Sequence, residues 1–218
     1  MIIDINEQLE KLVSLKGPFA SFMLNEVPET PDKLFISWLQ DAIKQGIQEP
    51  HAMTLSTIDA QENPDARILI LKRIDERGWY FATSRAGKKG RQIQRQPRAT
   101  LTFYWPPLGR QIRIRGIVTE MGPEESAIDF LRRSDVARAV AMTERQSMRL
   151  TSLSELDIAI AQQHQKLKQQ PDIVAPSWTL YCLQANEVEF WQASTDRIHQ
   201  RLLYVLQNDF WKKHLLWP

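Results

Sequence analysis

The feature that most constrains the fold is a series of short strand-like segments, many joined directly by turns. Turn residues such as Asp75-Glu76-Arg77-Gly78 and Pro106-Pro107-Leu108-Gly109 separate them, which is typical of β-hairpins. A doubly wound α/β fold needs a helix between successive strands, and the chain lacks that regular alternation. We therefore predict a mainly β, antiparallel barrel with peripheral helices. The predicted strands are Ala52–Ile58, Ala66–Arg73, Trp79–Thr83, Ala99–Trp105, Arg110–Met121, Ser177–Leu183, Glu187–Gln192, Arg201–Leu206 and Phe210–Trp217.

Helices are predicted before the first strand and as insertions between later strands. The best defined has Thr30 as N-cap, Pro31 at its first position and Gly46 past its end, as helix termini prefer. The others are Asn6–Leu15, Gly87–Gln96, a helix opened by Pro123, and Leu153–Lys168. We expect one domain over residues 1–218, with N-terminal helices in 1–50 and a barrel with inserted helices in 51–218.

Composition excludes several classes of function. The 218 residues carry 28 Lys+Arg against 26 Asp+Glu, a net charge of +2, which gives no overall field for nucleic acid or a membrane surface. The single Cys182 cannot form an internal disulfide, and the charged N-terminus does not resemble a signal peptide. No apolar run approaches the roughly 20 residues of a membrane span. We expect a cytoplasmic protein that binds a small molecule.

Basic residues near strand and helix ends are the candidate site. The chain has no P-loop, no G-x-G-x-x-G, no nucleophile elbow and no zinc-ligand spacing, so no metal is expected. Lys88, Lys89 and Arg91 fall in the first turn of a predicted helix, where backbone N–H groups and cations together grip an anion such as phosphate. The alternative is a solvated basic helix face. Arg197, His199 and Arg201 alternate, so a continuing strand would place all three on one face, and a bound anion or carboxylate would relieve their repulsion.

Together these residues resemble the pyridoxine/pyridoxamine 5'-phosphate oxidase family. Six motifs occur in the family's order and spacing, from the Thr30 helix to the C-terminal Trp-Pro. They are Arg67-Ile-Leu-Ile-Leu-Lys72, Lys88-Lys89, Phe103-Tyr-Trp105, Arg110-Gln111, Gln146-Ser147, and Glu189-Phe-Trp-Gln192 followed by Arg197-x-His199-x-Arg201.

The resemblance implies a split β-barrel homodimer with flavin mononucleotide (FMN) at the subunit interface. The cofactor phosphate would be held by Arg67, Lys88 and Lys89, with Gln146 and Ser147 contributed by the partner chain. The implied remainder of the cofactor site is Lys72, Thr83, Gln111, Trp191 and Arg201. In the family Lys72 and Arg133 bind the substrate phosphate, while Arg197 and His199 face the reacting end and are the implied catalytic residues.

Two positions depart from the family pattern at the substrate phosphate. Asp129 and Ala137 stand where Tyr and Ser are usual. A carboxylate about 5 Å from one phosphate charge costs roughly 3 kcal/mol at an effective dielectric of about 20, and a lost hydroxyl costs roughly 1 kcal/mol. We expect either that Asp129 turns to pair with Arg132 or Arg133, or that the substrate is not a phosphate ester.

Three functions follow from the matches and the departures. The first is an oxidase that makes pyridoxal 5'-phosphate with oxygen and releases hydrogen peroxide. The second is a related flavin oxidase with another substrate, as in the phenazine-biosynthesis branch. The third is a non-catalytic flavin-binding protein. Lys72, Arg133, Arg197 and His199 favour the first, whereas Asp129 and Ala137 favour the second.

Overall fold

The computed structural model describes residues 5–218, which form six α-helices and nine β-strands. The helices are α1 (Ile5–Lys11), α2 (Pro31–Lys44), α3 (Lys88–Arg95), α4 (Pro123–Leu131), α5 (Asp135–Met142) and α6 (Leu153–Gln169). The strands are β1 (Ala52–Ile58), β2 (Pro64–Ile70), β3 (Arg73–Asp75), β4 (Gly78–Ser84), β5 (Arg98–Trp105), β6 (Arg110–Glu120), β7 (Trp178–Gln192), β8 (Gln200–Gln207) and β9 (Phe210–Leu215).

The chain divides into two compact units. The first unit comprises Phe103–Arg113, Val188–Pro218 and the described part of Met1–Pro50, and the second comprises His51–Thr102 and Ile114–Glu187. Strands β5, β6 and β7 contribute residues to both units. The prediction of a single domain over residues 1–218 stays a prediction.

The second unit contains most of the sheet. Its strands follow the order β2-β1-β5-β6-β7-β4-β3, and the pairs β1–β2, β1–β5, β4–β7 and β3–β4 are antiparallel. In β1 every second residue is buried, because alternate side chains of a strand face the core. Helices α4 to α6 share a core with the start of β7, built around Phe130, Leu167 and Trp178. Each such side chain contributes roughly 1.5–3 kcal/mol through burial.

The first unit is built around α2 and an aromatic core. Phe35 of α2 packs edge-on against Phe103 with ring centroids 4.9 Å apart, and Trp38 packs against Phe190 at 5.2 Å. Pro31 begins the helix and Gly46 follows its end with a φ of 72°, as predicted. Ile43, near the C-terminal end of α2, is 60% exposed. Strands β8 and β9, predicted as Arg201–Leu206 and Phe210–Trp217, form an antiparallel hairpin across Asn208-Asp209.

The predicted fold class, mainly β and antiparallel with peripheral helices, is confirmed, but several elements differ. The predicted strand Ala66–Arg73 is replaced by β2, which ends at Ile70, and by the separate short strand β3 (Arg73–Asp75). Ser177–Leu183 and Glu187–Gln192 were predicted as two strands, whereas β7 runs unbroken from Trp178 to Gln192. A Cβ on Gly116 of β6 would lie 2.0 Å from the Gln184 carbonyl oxygen. Gln184, between the two predicted strands, therefore lies directly against the backbone of β6. This is the position of a residue in a sheet and not in a loop.

Helix α5 was not predicted from the sequence. Its N-cap is Ser134, whose hydroxyl accepts a hydrogen bond from the Ala137 N–H at 3.4 Å. A Ser before an acidic first turn is a helix-start signal, but the helix is too short for a clear apolar period. None of the helices described between residues 5 and 218 combines the length and apolar composition needed to cross a membrane.

Candidate functional site

A cluster of polar side chains lies beside the N-terminus of α3 in the second unit. The buried Lys89 Nζ donates to Gln146 Oε1 at 2.9 Å and lies 3.4 Å from Thr83 Oγ1. The Thr83 hydroxyl also donates to Gln146 Oε1, at 3.1 Å. Lys89, Thr83 and Gln146 were all predicted for the cofactor site, and the structure brings them together. Gln146 makes these contacts within its own chain, whereas the resemblance implied that the partner chain supplies it.

Arg67 and Lys88, the other two predicted phosphate ligands, share one carboxylate. Asp65 lies 2.7 Å from Arg67 Nη2 and 3.0 Å from Lys88 Nζ. It also accepts a hydrogen bond from Gln92 Nε2 at 3.0 Å. Asp65 was missed in the sequence, although its position two residues before Arg67 on β2 places both on the same face of the strand.

The electrostatics of this cluster favour binding of an anion. Burial lowers the pKa of the Lys89 ammonium, and the neighbouring Arg67 charge lowers it further. The hydrogen bond from Gln92, together with Lys88 and Arg67, lowers the pKa of Asp65 to about 2. Asp65 is therefore ionised at neutral pH. It pairs with Arg67 and Lys88, and its charge opposes the lowering of the Lys89 pKa.

The backbone at the start of α3 lies close to the Gln146 amide. Gly87 is the N-cap, in extended conformation, and no side chain caps the helix there. A Cβ on Gly87 would lie 2.7 Å from Gln146 Oε1, so a larger residue would displace the amide that Lys89 holds. Free N–H groups at a helix N-terminus, with buried cations beside them, are the donor set that a phosphate monoester needs. The residues present fit the phosphate of FMN.

A cavity of about 840 Å³ adjoins this cluster within the second unit. Thr83 and Gln146 line it together with Lys72 and Arg133, and apolar side chains of β2, α5 and α6 supply much of the remaining wall. A large, partly apolar cavity with a few convergent polar groups is the usual form of a small-molecule site. Lys72 lies beyond the end of β2 at Ile70, and its backbone N–H donates to the Tyr80 carbonyl at 2.7 Å.

Asp129 is paired with Lys72, and not with Arg132 or Arg133 as the sequence suggested. Its Oδ1 lies 3.5 Å from Lys72 Nζ, and its Oδ2 accepts a hydrogen bond from the Trp178 indole at 2.9 Å. Arg133 instead stacks on the Trp178 ring, 4.1 Å from its centroid, and donates to the Ala137 carbonyl at 3.2 Å. Burial lowers the pKa of the Arg133 guanidinium, and the Asp129 charge opposes that shift.

The first unit holds most of the other predicted site residues. Trp191 and His199 are in ring contact, with centroids 4.8 Å apart. His199 Nδ1 accepts a hydrogen bond from the Ser194 N–H at 3.1 Å, so the neutral imidazole carries its proton on Nε2. Arg201 binds the buried Glu189 through Nε at 2.9 Å and Nη2 at 2.8 Å. Glu189 also pairs with Arg113, so one buried carboxylate is shared by two guanidinium groups.

The condition under which Arg197, His199 and Arg201 would share one face, a strand that continues through all three, is not met. Strand β7 ends at Gln192 and β8 begins at Gln200. Arg197 has a φ of 69° in the intervening turn, a conformation that strands do not use. The exposed Arg197 side chain reaches Ser14 Oγ at 3.5 Å, whereas Arg201 lies in β8.

Ser147 and Gln111 are the remaining residues of the predicted site. Ser147 is exposed, with a φ of 68°, and Gln111 is half-buried on β6. Their roles, like those of the other site residues, stay predictions.

Comparison with known proteins identifies the fold class first. PhzG from Burkholderia lata 383, solved in complex with tetrahydrophenazine-1-carboxylic acid, is 28% identical, with a TM-score of 0.85 over 93% of this chain and 100% of that one. A pyridoxamine 5'-phosphate oxidase-related, FMN-binding protein from Nostoc punctiforme shares the fold, with a TM-score of 0.70 at 19% identity. The chain therefore has the split β-barrel fold of FMN-binding proteins.

The family follows from the sequence comparisons. The family model described as pyridoxamine 5'-phosphate oxidase matches residues 39–167, and that of the pyridoxine 5'-phosphate oxidase C-terminal dimerisation region matches residues 178–218. The pyridoxine/pyridoxamine 5'-phosphate oxidase of Pseudomonas paraeruginosa is 38% identical over 96% of this chain and 99% of its own, and that of Rubrobacter xylanophilus is 34% identical over 95% and 96%. The chain belongs to the pyridoxamine 5'-phosphate oxidase family.

Proposed function

We propose that this chain is an FMN-dependent oxidase acting on a small ring-bearing amine or alcohol, with oxygen as electron acceptor and hydrogen peroxide as product. The observation that carries the proposal is the buried Lys89 held against Thr83 and Gln146 beside Arg67, at an α3 N-terminus that no side chain caps. The family assignment supports it, since the curated relatives are named as oxidases.

The proposed FMN-binding residues rest on this geometry at the phosphate and on the family resemblance for the rest of the cofactor. Arg67, Lys88 and Lys89 would bind the phosphate together with the first backbone N–H groups of α3. Thr83 and Gln146 would fix the Lys89 ammonium and contribute polar contacts of their own. For the rest of the cofactor we propose Lys72, Gln111, Ser147, Trp191 and Arg201. The match of residues 178–218 to a dimerisation region supports a homodimer, and we propose that FMN lies at its interface.

When bound, FMN would supply the redox chemistry by accepting two electrons from the donor carbon and passing them to oxygen. The protein would orient that carbon and exclude water from it. We propose that Arg133 and Lys72 bind the far end of the donor and that Arg197 and His199 meet its reacting end. The Nε2–H of His199 is the proton available for a hydrogen bond there, because Nδ1 is already occupied by Ser194.

Two classes of donor are candidates. The names of the relatives favour pyridoxine and pyridoxamine 5'-phosphate, with pyridoxal 5'-phosphate as product. The Asp129–Lys72 ion pair favours a donor without a phosphate group, and the PhzG structure holds a ligand named as a carboxylic acid. A flavin-binding protein without catalysis is the third possibility. The cytoplasmic location stays a prediction.

A peroxide assay on the flavin-loaded protein tests the proposal. Pyridoxine, pyridoxamine and their 5'-phosphates are each supplied with oxygen, and hydrogen peroxide is measured. Peroxide formed with any donor supports an oxidase, and the comparison of phosphorylated with unphosphorylated forms separates the two donor classes. A protein that is colourless and takes up no FMN on titration would refute the assignment. A bound flavin that none of the donors reduces anaerobically would indicate a binding protein.

A further inference from the structure

We propose that Asp129 determines specificity by setting the charge of the ligand group accepted beside Lys72. This end of the 840 Å³ cavity would prefer a neutral or singly negative group over the dianionic phosphate that a Lys-Arg pair would otherwise select. The inference rests on the proposed function, because it takes that cavity as the donor site.

Asp129 is held in place by two separate contacts. Its carboxylate contacts Lys72 Nζ at 3.5 Å and accepts the Trp178 indole N–H at 2.9 Å, and its side chain is only 12% exposed. Rotation away from Lys72 would leave the indole N–H without this acceptor in a largely buried position, which is unfavourable. An incoming phosphate would therefore meet Asp129 beside Lys72 instead of displacing it.

The charges at this end match a single negative charge. Lys72 and Arg133 contribute two positive charges, and Asp129 removes one. A phosphate ester carries about −1.5 to −2 at neutral pH, so it would leave the half-buried end with excess negative charge. A carboxylate on the ligand would balance the single net positive charge of this end, and a neutral ligand group would leave that charge unbalanced. Replacing Asp129 by Asn would restore two positive charges while keeping an acceptor for Trp178.

The other charged groups around Lys72 do not change this count. On the cavity wall Arg145 and Glu155 form an ion pair at 2.9 Å, and Arg149 is exposed. Lys72 lines the 840 Å³ cavity, and it also lines a second cavity of about 200 Å³ together with Asp129, Arg73, Glu125 and Arg132. Arg73 and Glu125 pair at 3.0 Å. Arg132 is exposed, where solvent screens its charge.

The decisive experiment measures binding of two probes to the wild type and to Asp129→Asn by calorimetric titration. The probes are 4-deoxypyridoxine and its 5'-phosphate, which differ by the phosphate and lack the 4'-hydroxyl that an oxidase would attack. Glu124→Gln is the matched control, because it removes one negative charge from an exposed position of the same helix α4. Flavin content and thermal unfolding of each protein establish that it is folded.

We expect the wild type to bind the phosphorylated probe no more tightly than the unphosphorylated one. Asp129→Asn is expected to shift that ratio toward the phosphate at least tenfold, about 1.4 kcal/mol, and Glu124→Gln is expected to leave it unchanged. In the double variant Asp129→Asn with Lys72→Met, the shift of the binding ratio toward the phosphorylated probe should disappear.

Three results would overturn the inference. They are a wild type that already prefers the phosphate tenfold, an unchanged ratio in Asp129→Asn, and an Asn variant that binds no phosphorylated probe. A protein that takes up no flavin would instead refute the proposed function, and the probe ratio can be measured regardless of flavin content.

Discussion

Replacing Lys89 by Met tests most directly whether the cluster at α3 binds the FMN phosphate. Lys89 is buried, donates to Gln146 at 2.9 Å and lies close to Thr83. Met keeps a side chain of similar length but removes the charge and the donor. A hydrogen bond involving a charged group contributes about 1.5–3 kcal/mol, so the dissociation constant for FMN should rise about 10- to 150-fold.

The assay is titration of flavin fluorescence with flavin-free protein, performed with FMN and with riboflavin. Because riboflavin lacks the phosphate, its affinity should be the same in Lys89→Met and in wild type. Lys33→Met, at an exposed position in the first turn of α2, is the control for loss of one lysine charge. If FMN and riboflavin lose affinity equally, or if FMN affinity is unchanged, Lys89 does not bind the phosphate and the reasoning fails.

Three further predictions concern other parts of the site. Arg197→Ala should lower donor turnover while FMN stays bound, measured as peroxide production against flavin absorbance; loss of flavin would contradict the proposed role. Glu189→Gln should destabilise the protein by about 1–3 kcal/mol in urea unfolding, because the charges of Arg113 and Arg201 lose their buried partner; an unchanged unfolding midpoint would contradict it. The lowered pKa of Asp65 stabilises the folded state above the ordinary Asp pKa near 4, and this contribution should be lost as pH falls toward about 2. The free energy of unfolding of Asp65→Asn should therefore lack this loss of stability at acid pH. Identical acid-unfolding profiles for the variant and the wild type would contradict the prediction.

The fold was largely predictable because its signals are local. Strand alternation, the helix start at Pro31 and the Asn208-Asp209 turn each depend on neighbouring residues, and the structure has all three, although the Thr30 side chain makes no capping hydrogen bond. The segment around Gln184 was predicted to separate two strands, whereas it is part of β7. Its extended conformation depends on pairing with β6, which the local sequence does not encode.

The candidate site was predictable only in part. The grouping of Lys89 with Gln146 joins residues far apart in the chain, and the resemblance supplied what spacing alone could not. Asp65 was overlooked because a lone acid near basic residues has no motif. Asp129 was noticed only as a departure from the family, and its pairing with Lys72 depends on the packing of α4 against Trp178, which the sequence does not specify.

Asp129 lies on α4 of the second unit. The residues proposed for the FMN phosphate and its surroundings lie on other elements of that unit, namely β2, β4 and α3. Asp and Tyr codons differ by a single base, so one nucleotide change can exchange the acid at this position for the Tyr usual in the family. On the role proposed for Asp129, such a change would alter which donors are accepted without touching Arg67, Lys88 or Lys89. Substrate preference in a barrel of this kind can therefore drift along a lineage while selection for the cofactor continues undisturbed.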